Sequence, residues 1–157
     1  MPNTEPMTQR VELATVRDRL AVDHLVTDYA VARDDGDWTT YRELFAPGGR
    51  ADYRAAGGIA GDARQVAEWL AESLRPFPAR QHLIVNRRVR FGVWDQDTGD
   101  TAHVQADYVS PMGAAGGDAG PGAPDFVSGG RYAFALLRTD DGWRIGEVVA
   151  REKWRRL

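Results

Sequence analysis

Apolar residues recur with a helical period in the first half of the chain and with a strand period in the second half. The first apolar stripe has the i, i+3, i+4, i+7, i+8 spacing of a helix packed on one face, and its members are Val22, Leu25, Val26, Tyr29 and Ala30. Gly36 suits the position just past the end of this helix. Residues 1–9 precede the stripe, are polar and contain two prolines, which predicts a flexible leader.

Two further helices are predicted before residue 80. Asp37 is a good N-cap for a short helix that runs through Phe45 and is stopped by Pro47–Gly49. A third helix starts at Gly61–Asp62 and ends before two prolines. Its apolar face has helical spacing and consists of Val66, Trp69, Leu70 and Leu74.

Four long extended segments follow, and a short strand candidate at residues 50–54 precedes the third helix. The long segments are His82–Trp94, Thr101–Met112, Phe126–Thr139 and Trp143–Trp154. Asp140–Gly142 is a hairpin turn, whereas residues 113–124 are rich in Gly, Ala and Pro and predict a flexible loop. Helices followed by a meander of strands are typical of an α+β fold. We therefore predict one domain over residues 1–157, a cone-shaped α+β barrel. Three N-terminal helices would pack on a curved, mainly antiparallel sheet that closes around one small-molecule pocket.

Composition narrows the classes of function. The 157 residues include no cysteine, which excludes disulfides, thiolate metal sites and a cysteine nucleophile. No apolar run approaches the roughly 20 residues that cross a bilayer, and the N-terminus lacks the pattern of a signal peptide, so we expect a cytoplasmic protein without a membrane partner. The net charge is −3, and the basic residues near the C-terminus are interpreted as a solvated tail, so we expect no nucleic-acid partner.

Few residues suit acid/base chemistry. Of the three histidines, His24 lies off the helical stripe and His103 sits among polar strand neighbours, whereas His82 opens a long predicted strand. Asp34 lies at the end of the first helix, where a carboxylate opposes the helix dipole and is unfavourable unless it has another role. Tyr29 and Tyr53 are either core residues or donors to a ligand. No arrangement of residues resembles a zinc motif or a phosphate loop, so we expect neither a metal nor an organic cofactor.

Four segments in order resemble the SnoaL-like branch of the nuclear transport factor 2-like superfamily. They are Tyr29–Trp38, Leu44–Pro47, Ala51–Arg54 and Gln81–Asn86. Within that branch the chain looks most like scytalone dehydratases and bile-acid 7α-dehydratases. The resemblance spans about residues 15 to 155 and implies the same cone-shaped fold.

The resemblance also implies roles for individual residues. His82 matches the general acid/base, Asp34 matches its carboxylate partner, and Tyr53 matches the tyrosine that polarises a substrate carbonyl. Tyr29 matches a pocket tyrosine of the bile-acid enzymes. Two further motif residues, Trp38 and Asn86, are candidates for substrate binding.

The chain departs from the family pattern at two places. The most natural register puts Ala106 or Asp107 where scytalone dehydratases have a second pocket histidine, which makes Asp107 a further substrate-binding candidate. Arg33 replaces the tyrosine that directly precedes the family aspartate.

The implied function is a cofactor-independent dehydratase, a lyase of secondary metabolism, acting on a small hydrophobic molecule of polyketide-like, aromatic or steroid-like type. Elimination of water beside a carbonyl needs a base, a donor to the developing enolate and an acid for the leaving hydroxide. The same groups suit a cyclase, an isomerase or a dehydrohalogenase, because all begin with proton abstraction, and a non-catalytic binding domain remains the other alternative. A hydrogen bond between Asp34 and His82 inside a closed pocket would favour an enzyme, and His103 is the substitute base if His82 is not one.

The last strands predict an oligomer. Apolar residues occupy both parities of the strand near residue 134, with Tyr132, Phe134 and Leu136 on one face and Ala133, Ala135 and Leu137 on the other. A sheet that is apolar on both faces usually covers the second face. We therefore expect a homodimer or homotrimer formed through the outer face.

Overall fold

Three α-helices, one short 3₁₀ helix (Arg54–Ala56) and seven strands make up the computed structural model of the chain, which describes residues 5–114 and 122–157. The helices are α1 (Glu5–Asp35), α2 (Trp38–Glu43) and α3 (Ala63–Ser73). The strands are β1 (Phe45–Asp52), β2 (Ala60–Asp62), β3 (Ala79–Arg80), β4 (Leu83–Phe91), β5 (Thr101–Gly113), β6 (Phe126–Thr139) and β7 (Gly142–Arg156). No helix in this part of the chain is both long and apolar enough to cross a bilayer.

The strands form one curled sheet in the order β2-β1-β7-β6-β5-β3, and β4 pairs with β5 beside β3. Every pairing is antiparallel except that of β1 with β7, which is parallel. The helices cover the inner face, where the aromatic residues of the middle strands meet those of α1. The predicted cone-shaped α+β fold with a mainly antiparallel sheet is therefore confirmed.

Helix α1 starts earlier than the apolar stripe indicates. It begins at Glu5, so the predicted flexible leader is wrong for residues 5–9, while residues 1–4 lie outside the described residues. The helix ends as expected, because Gly36 adopts a φ of 67°. Its N–H donates to Arg33 O and the next N–H donates to Ala32 O, which together form a Schellman motif. This ending fixes the direction of the side chains in the last turn.

The segment after α2 is a strand rather than the end of a helix. Asp37 caps α2 as predicted, but the helix stops at Glu43, and β1 begins at Phe45 instead of at residue 50. The pairing with β7 shifts register between Phe45 and Arg50, so the proline and glycines lie in an irregular part of the strand. Gly49 is needed there, because a Cβ atom would lie 2.7 Å from Ile145 O.

A β-bulge in β4 reverses which side chains face the interior. The register shifts between Val85 and Arg88, and Asn86 adopts a φ of 52°. Before the bulge Ile84 is buried and Val85 is exposed, whereas after it Val89 packs against the core. The inward-facing positions therefore change parity along β4 at the bulge.

The outer face of the sheet is open in this single chain. Tyr132, Phe134 and Leu136 are buried on the inner face, whereas Ala133 is exposed on the outer face. Contact between copies through the outer face remains a prediction. Most of the predicted loop at 113–124 lies outside the described residues, which omit 115–121. Of the rest, Gly113 ends β5, and the Ala114 N–H donates to Asp125 Oδ2 at 2.7 Å.

Candidate active site

Asp34 and His82 form a directly hydrogen-bonded pair although 48 positions separate them in the chain. The His82 Nδ1 atom lies 2.6 Å from Asp34 Oδ1, and the His82 backbone N–H donates to Asp34 Oδ2 at 2.7 Å. Only 2% of the imidazole side chain is exposed, against 15% of the aspartate side chain. Asp34 therefore accepts through both oxygens and fixes the histidine by its backbone and its ring.

The local fold explains why the two residues meet. His82 falls between β3 and β4, outside the regular ladder, so its N–H is free to bond a side chain. Arg80 holds the same junction to α1 and to the end of α3, because its guanidinium donates to Asp34 O at 3.2 Å and to Leu74 O and Phe77 O at 3.0 Å. Arg80 thus fixes the backbone of this junction, and the two donors to the carboxylate at the end of α1 both come from His82.

The environment keeps His82 neutral. Burial and the positive charge of Arg33 lower the pKa of His82 to about 4, against the raising effect of Asp34. Burial raises the pKa of Asp34, but the hydrogen bonds from His82 outweigh it and leave the value below normal. At neutral pH the pair is a carboxylate and an uncharged imidazole. With Nδ1–H donated to Asp34, the lone pair is on Nε2.

Ser110 lies on the other side of the imidazole ring. It belongs to β5, is 1% exposed, and its Oγ is 3.1 Å from His82 Nε2. Gln81 N bonds Pro111 O and Leu83 pairs with Val109, so the strand register sets Ser110 opposite His82. Ser110, and not Ala106 or Asp107, is therefore the residue of β5 that adjoins the His82 ring.

Four tyrosines and one arginine form a buried polar cluster next to the pair. The Tyr53 hydroxyl bonds the hydroxyls of Tyr29 and Tyr41, the latter at 2.7 Å. Arg33 Nη1 donates to the hydroxyl of Tyr29 at 3.2 Å and to that of Tyr132 at 2.5 Å. Burial raises the pKa of Tyr29, Tyr41 and Tyr53, so these three phenols stay protonated at neutral pH.

A cavity of about 240 Å³ brings the two groups together. It is smaller than the pockets of roughly 300–1,000 Å³ that hold drug-sized ligands. Its polar lining comprises Arg33, Tyr53, Ser73, His82, Tyr108, Ser110, Ser128, Tyr132, Glu152 and Arg155. Its apolar lining includes Trp69, Leu70, Leu74, Phe77, Met112 and Phe126. The arrangement offers one base, several hydroxyl donors and one cation to a small, mainly apolar ligand.

The structure separates the predicted site residues into two groups. In the first group, His82 and Tyr53 line the cavity. Asp34 and Tyr29 do not line it, but Asp34 is hydrogen-bonded to His82 and Tyr29 is hydrogen-bonded to Tyr53. Trp38 instead packs edge-on against the ring of Tyr41, with centroids 5.8 Å apart, and does not line the cavity. Its assignment to substrate binding is corrected, because α2 turns it toward the back of the tyrosine cluster.

The assignments of Asn86 and Asp107 to substrate binding are also corrected. They bond each other at 3.3 Å on the outer face of the sheet, where Arg131 and Lys153 pair with the same carboxylate. Asp107 alternates with the inward residues Ala106 and Tyr108, so its strand parity takes it away from the cavity. Of the other histidines, His103 and His24 are exposed, and neither lines the cavity.

Sequence reasoning missed Arg33, Ser110 and Tyr132 as site residues. Arg33 had a signal, because it continues the apolar stripe of α1 four residues after Tyr29. Tyr132 was identified only as an inward core residue, and Ser110 needed the register of β5 against His82. Within residues 5–114 and 122–157, no three His, Cys, Asp or Glu side chains gather in a way that could hold a metal ion.

Comparison with known sequences identifies the family of this chain. A profile of the SnoaL-like domain matches residues 14–149, so the chain belongs to the SnoaL-like family. A protein of Mycobacterium tuberculosis, described as uncharacterized, is 33% identical over 135 residues, which cover 86% of this chain and 85% of the relative.

Solved structures share the fold at low identity. The hexachlorocyclohexane dehydrochlorinase LinA has a TM-score of 0.74 at 16% identity, covering 92% of this chain and 91% of that chain. A candidate scytalone dehydratase of Novosphingobium aromaticivorans has a TM-score of 0.68 at 14% identity, covering 91% of this chain and 89% of that chain. A Kribbella flavida protein has a TM-score of 0.73 at 21% identity, covering 90% of this chain and 95% of that chain. These likenesses establish the fold.

Proposed function

We propose that this SnoaL-like protein is a cofactor-independent acid/base enzyme, and specifically a dehydratase-type lyase that eliminates water from a small, mainly apolar carbonyl compound. One observation carries the proposal. A buried neutral histidine is held through Nδ1 by a carboxylate, and it lines a cavity together with the tyrosines Tyr53, Tyr108 and Tyr132. The names of two structural neighbours, a dehydrochlorinase and a candidate scytalone dehydratase, are consistent with elimination chemistry.

The reaction follows from the positions of the groups. His82 Nε2 takes a proton from the carbon next to the carbonyl, and the electron pair of that C–H bond moves into the carbonyl group to form an enolate. Hydroxyl donors such as Tyr53 stabilise the enolate oxygen. When the carbonyl re-forms, the electrons make the C=C bond and expel the β-hydroxyl group, which takes the proton back from the His82 imidazolium and leaves as water. Asp34 holds the ring and stabilises the imidazolium in between.

Two probes test the proposal. In deuterated water, α-tetralone should gain deuterium at the carbon next to its carbonyl, and its β-hydroxy derivative should yield α-naphthol and water, both faster than without protein. His82→Ala should remove both accelerations. Exchange without elimination would favour an isomerase or cyclase of the same family instead. Binding without exchange of either probe would contradict proton abstraction and favour a ligand-binding domain.

A second candidate function rests on Ser110. Its Oγ, His82 and Asp34 stand in the order of a hydrolytic triad, with Oγ 3.1 Å from Nε2. Ser110 lies within β5 and pairs with Ser128, however, whereas serine nucleophiles usually sit on a turn with free backbone N–H donors for the oxyanion. Labelling with a fluorophosphonate that Ser110→Ala abolishes would favour the hydrolase.

A further inference from the structure

Within the part of the chain that the structure describes, no carboxylate directly contacts Arg33 to balance its charge. The side chain belongs to a residue that is 6% exposed, and an arginine cannot lose its proton in a protein. Among the described residues its hydrogen bonds are the two from Nη1 to tyrosine hydroxyls, and Nε is buried without a partner. Asp34, its neighbour in the chain, gives both oxygens to His82. A buried arginine without an ion-pair partner is costly, which points to a partner supplied by a ligand.

The other charged groups of the cavity cancel each other. Glu152 is the carboxylate in the lining, and Arg155 holds it with two bonds, Nε to Oε1 at 2.7 Å and Nη2 to Oε2 at 3.1 Å. His82 is neutral at the pH where the site would work. Arg33 therefore leaves the described lining with one uncompensated positive charge.

The hydrogen bonds also direct hydroxyl protons toward the cavity. Tyr132 accepts from Arg33, and its own proton has no acceptor among the residues that the structure describes, so it is available to a ligand. Tyr29 also accepts from Arg33 and is bonded to Tyr53, a lining residue whose hydroxyl is bonded in turn to that of Tyr41. Arg33 thus orients the hydroxyls of Tyr29 and Tyr132 and leaves the Tyr132 proton as a donor to the cavity, an arrangement that suits a negatively charged oxygen.

We propose that Arg33 and Tyr132 form an oxyanion-binding subsite, so that the substrate presents to them an oxygen that is, or becomes, negatively charged. This inference rests on the proposed function in that the oxygen belongs to the molecule from which His82 takes a proton. Two sources share this chemistry: a permanent carboxylate on the substrate, and the enolate oxygen that forms during the reaction. Arg33 and the tyrosine hydroxyls then select for acidic or readily enolised compounds.

Binding measurements with matched probes test the subsite without requiring turnover. Cinnamate and cinnamamide differ mainly in charge, and para-nitrophenol reports its own ionisation by absorbance. The wild type should either bind cinnamate at least about tenfold more tightly than cinnamamide, which indicates a permanent anion, or lower the pKa of bound para-nitrophenol by about one unit, which indicates an enolate site. Arg33→Gln should abolish the preference, Arg33→Lys should restore part of it, and Tyr132→Phe should weaken it.

Controls separate this proposal from the proposed function and from general electrostatics. Arg54→Gln removes a positive charge directly after Tyr53, at an exposed residue that pairs with Asp52, and should leave the anion preference unchanged. His82→Ala should lose proton abstraction but keep the preference, so either proposal can fail alone. Equal binding of cinnamate and cinnamamide by the folded wild type, together with an unshifted pKa of bound para-nitrophenol, would overturn the subsite. A tyrosinate signal at neutral pH that disappears in Tyr132→Phe would also overturn it, since the counter-ion would then be internal.

Discussion

Two buried polar clusters lie along helix α1, and they differ in whether a ligand can reach them. Asp34 and His82 adjoin the cavity at the C-terminal end of the helix, whereas Asp18 lies 16 positions earlier, about 24 Å away along the axis. Asp18 accepts from Arg138 at 2.9 and 2.7 Å, from Trp94 at 2.8 Å and from Trp143 at 3.3 Å. Arg138 is in turn held by Asp100. Every oxygen of Asp18 has donors, and neither Asp18 nor Arg138 lines the cavity.

The contrast separates structural from functional burial of charge. At Asp18 a buried cation and two carboxylates satisfy one another, so the cluster stabilises the fold and has nothing left to offer a ligand. At the cavity end, Arg33 has no carboxylate in direct contact among the described residues, and His82 and Tyr132 line the cavity. Substitutions that disrupt one cluster at a time test this difference.

The largest expected effect is on catalysis at the cavity end. His82→Ala should lower turnover of the substrate roughly 10²–10⁴-fold, because it removes the base, while circular dichroism should show an intact fold. His103→Ala is the matched control, since His103 is exposed on the outer face and should leave turnover unchanged. Near-wild-type turnover in His82→Ala, with loss in His103→Ala, would reverse the assignment of the base.

The next effect is on stability at the other end. Asp18→Asn should lower the free energy of unfolding by about 3 kcal/mol, because it leaves a partly buried arginine with one carboxylate instead of two. Asp52→Asn breaks an exposed ion pair with Arg54 and should cost no more than about 1 kcal/mol. Denaturant titration measures both. If Asp18→Asn weakens ligand binding, in free energy, by more than it lowers the free energy of unfolding, the two ends of the helix are coupled.

Stability should also depend on pH through His82. Its pKa is depressed from the 6.5 of an unfolded chain to about 4, so the folded state binds fewer protons between these values. The neutral His82 side chain therefore makes its full contribution to the free energy of unfolding above pH 6.5. Up to about 3 kcal/mol of that free energy is lost as the pH falls toward 4. His82→Gln should flatten this part of the profile relative to the wild type, whereas Asp18→Asn should not. Parallel profiles for wild type and His82→Gln would contradict a buried neutral histidine.

The smallest expected effect comes from one hydroxyl of the tyrosine cluster. Tyr53→Phe should slow turnover by about tenfold, less than loss of the base, because Tyr132 remains as a donor to the same oxygen. The measurement is kcat with α-tetralone or its β-hydroxy derivative, and Tyr41→Phe is the control, since that hydroxyl bonds Tyr53 but does not line the cavity. An equal loss in both variants would indicate that the cluster acts only as a structural unit.

The contrast between the two ends also shows what the sequence could predict. The stripe of α1, its end at Gly36 and the alternation of β6 follow from local periodicity, and so the fold was predictable. The resemblance supplied the pairing of Asp34 with His82, which no local pattern contains. Arg33 was visible as a charged residue on an apolar stripe, although its lack of an ion-pair partner was not. Ser110 and the outward direction of Asn86 depend on cross-strand register and on a bulge, and a single strand pattern specifies neither.

The central claim is that His82 is a neutral, carboxylate-held base whose Nε2 faces the cavity, and nitrogen NMR of labelled histidine tests it most directly. The chain has three histidines, so His82→Gln assigns the signals. We expect the His82 ring to remain in the Nδ1–H tautomer, uncharged, from pH 7.5 down to about 5, and an Asp34→Asn variant to lose this fixed tautomer. A His82 ring that carries its proton on Nε2, or that takes up a second proton near neutral pH, would contradict the account.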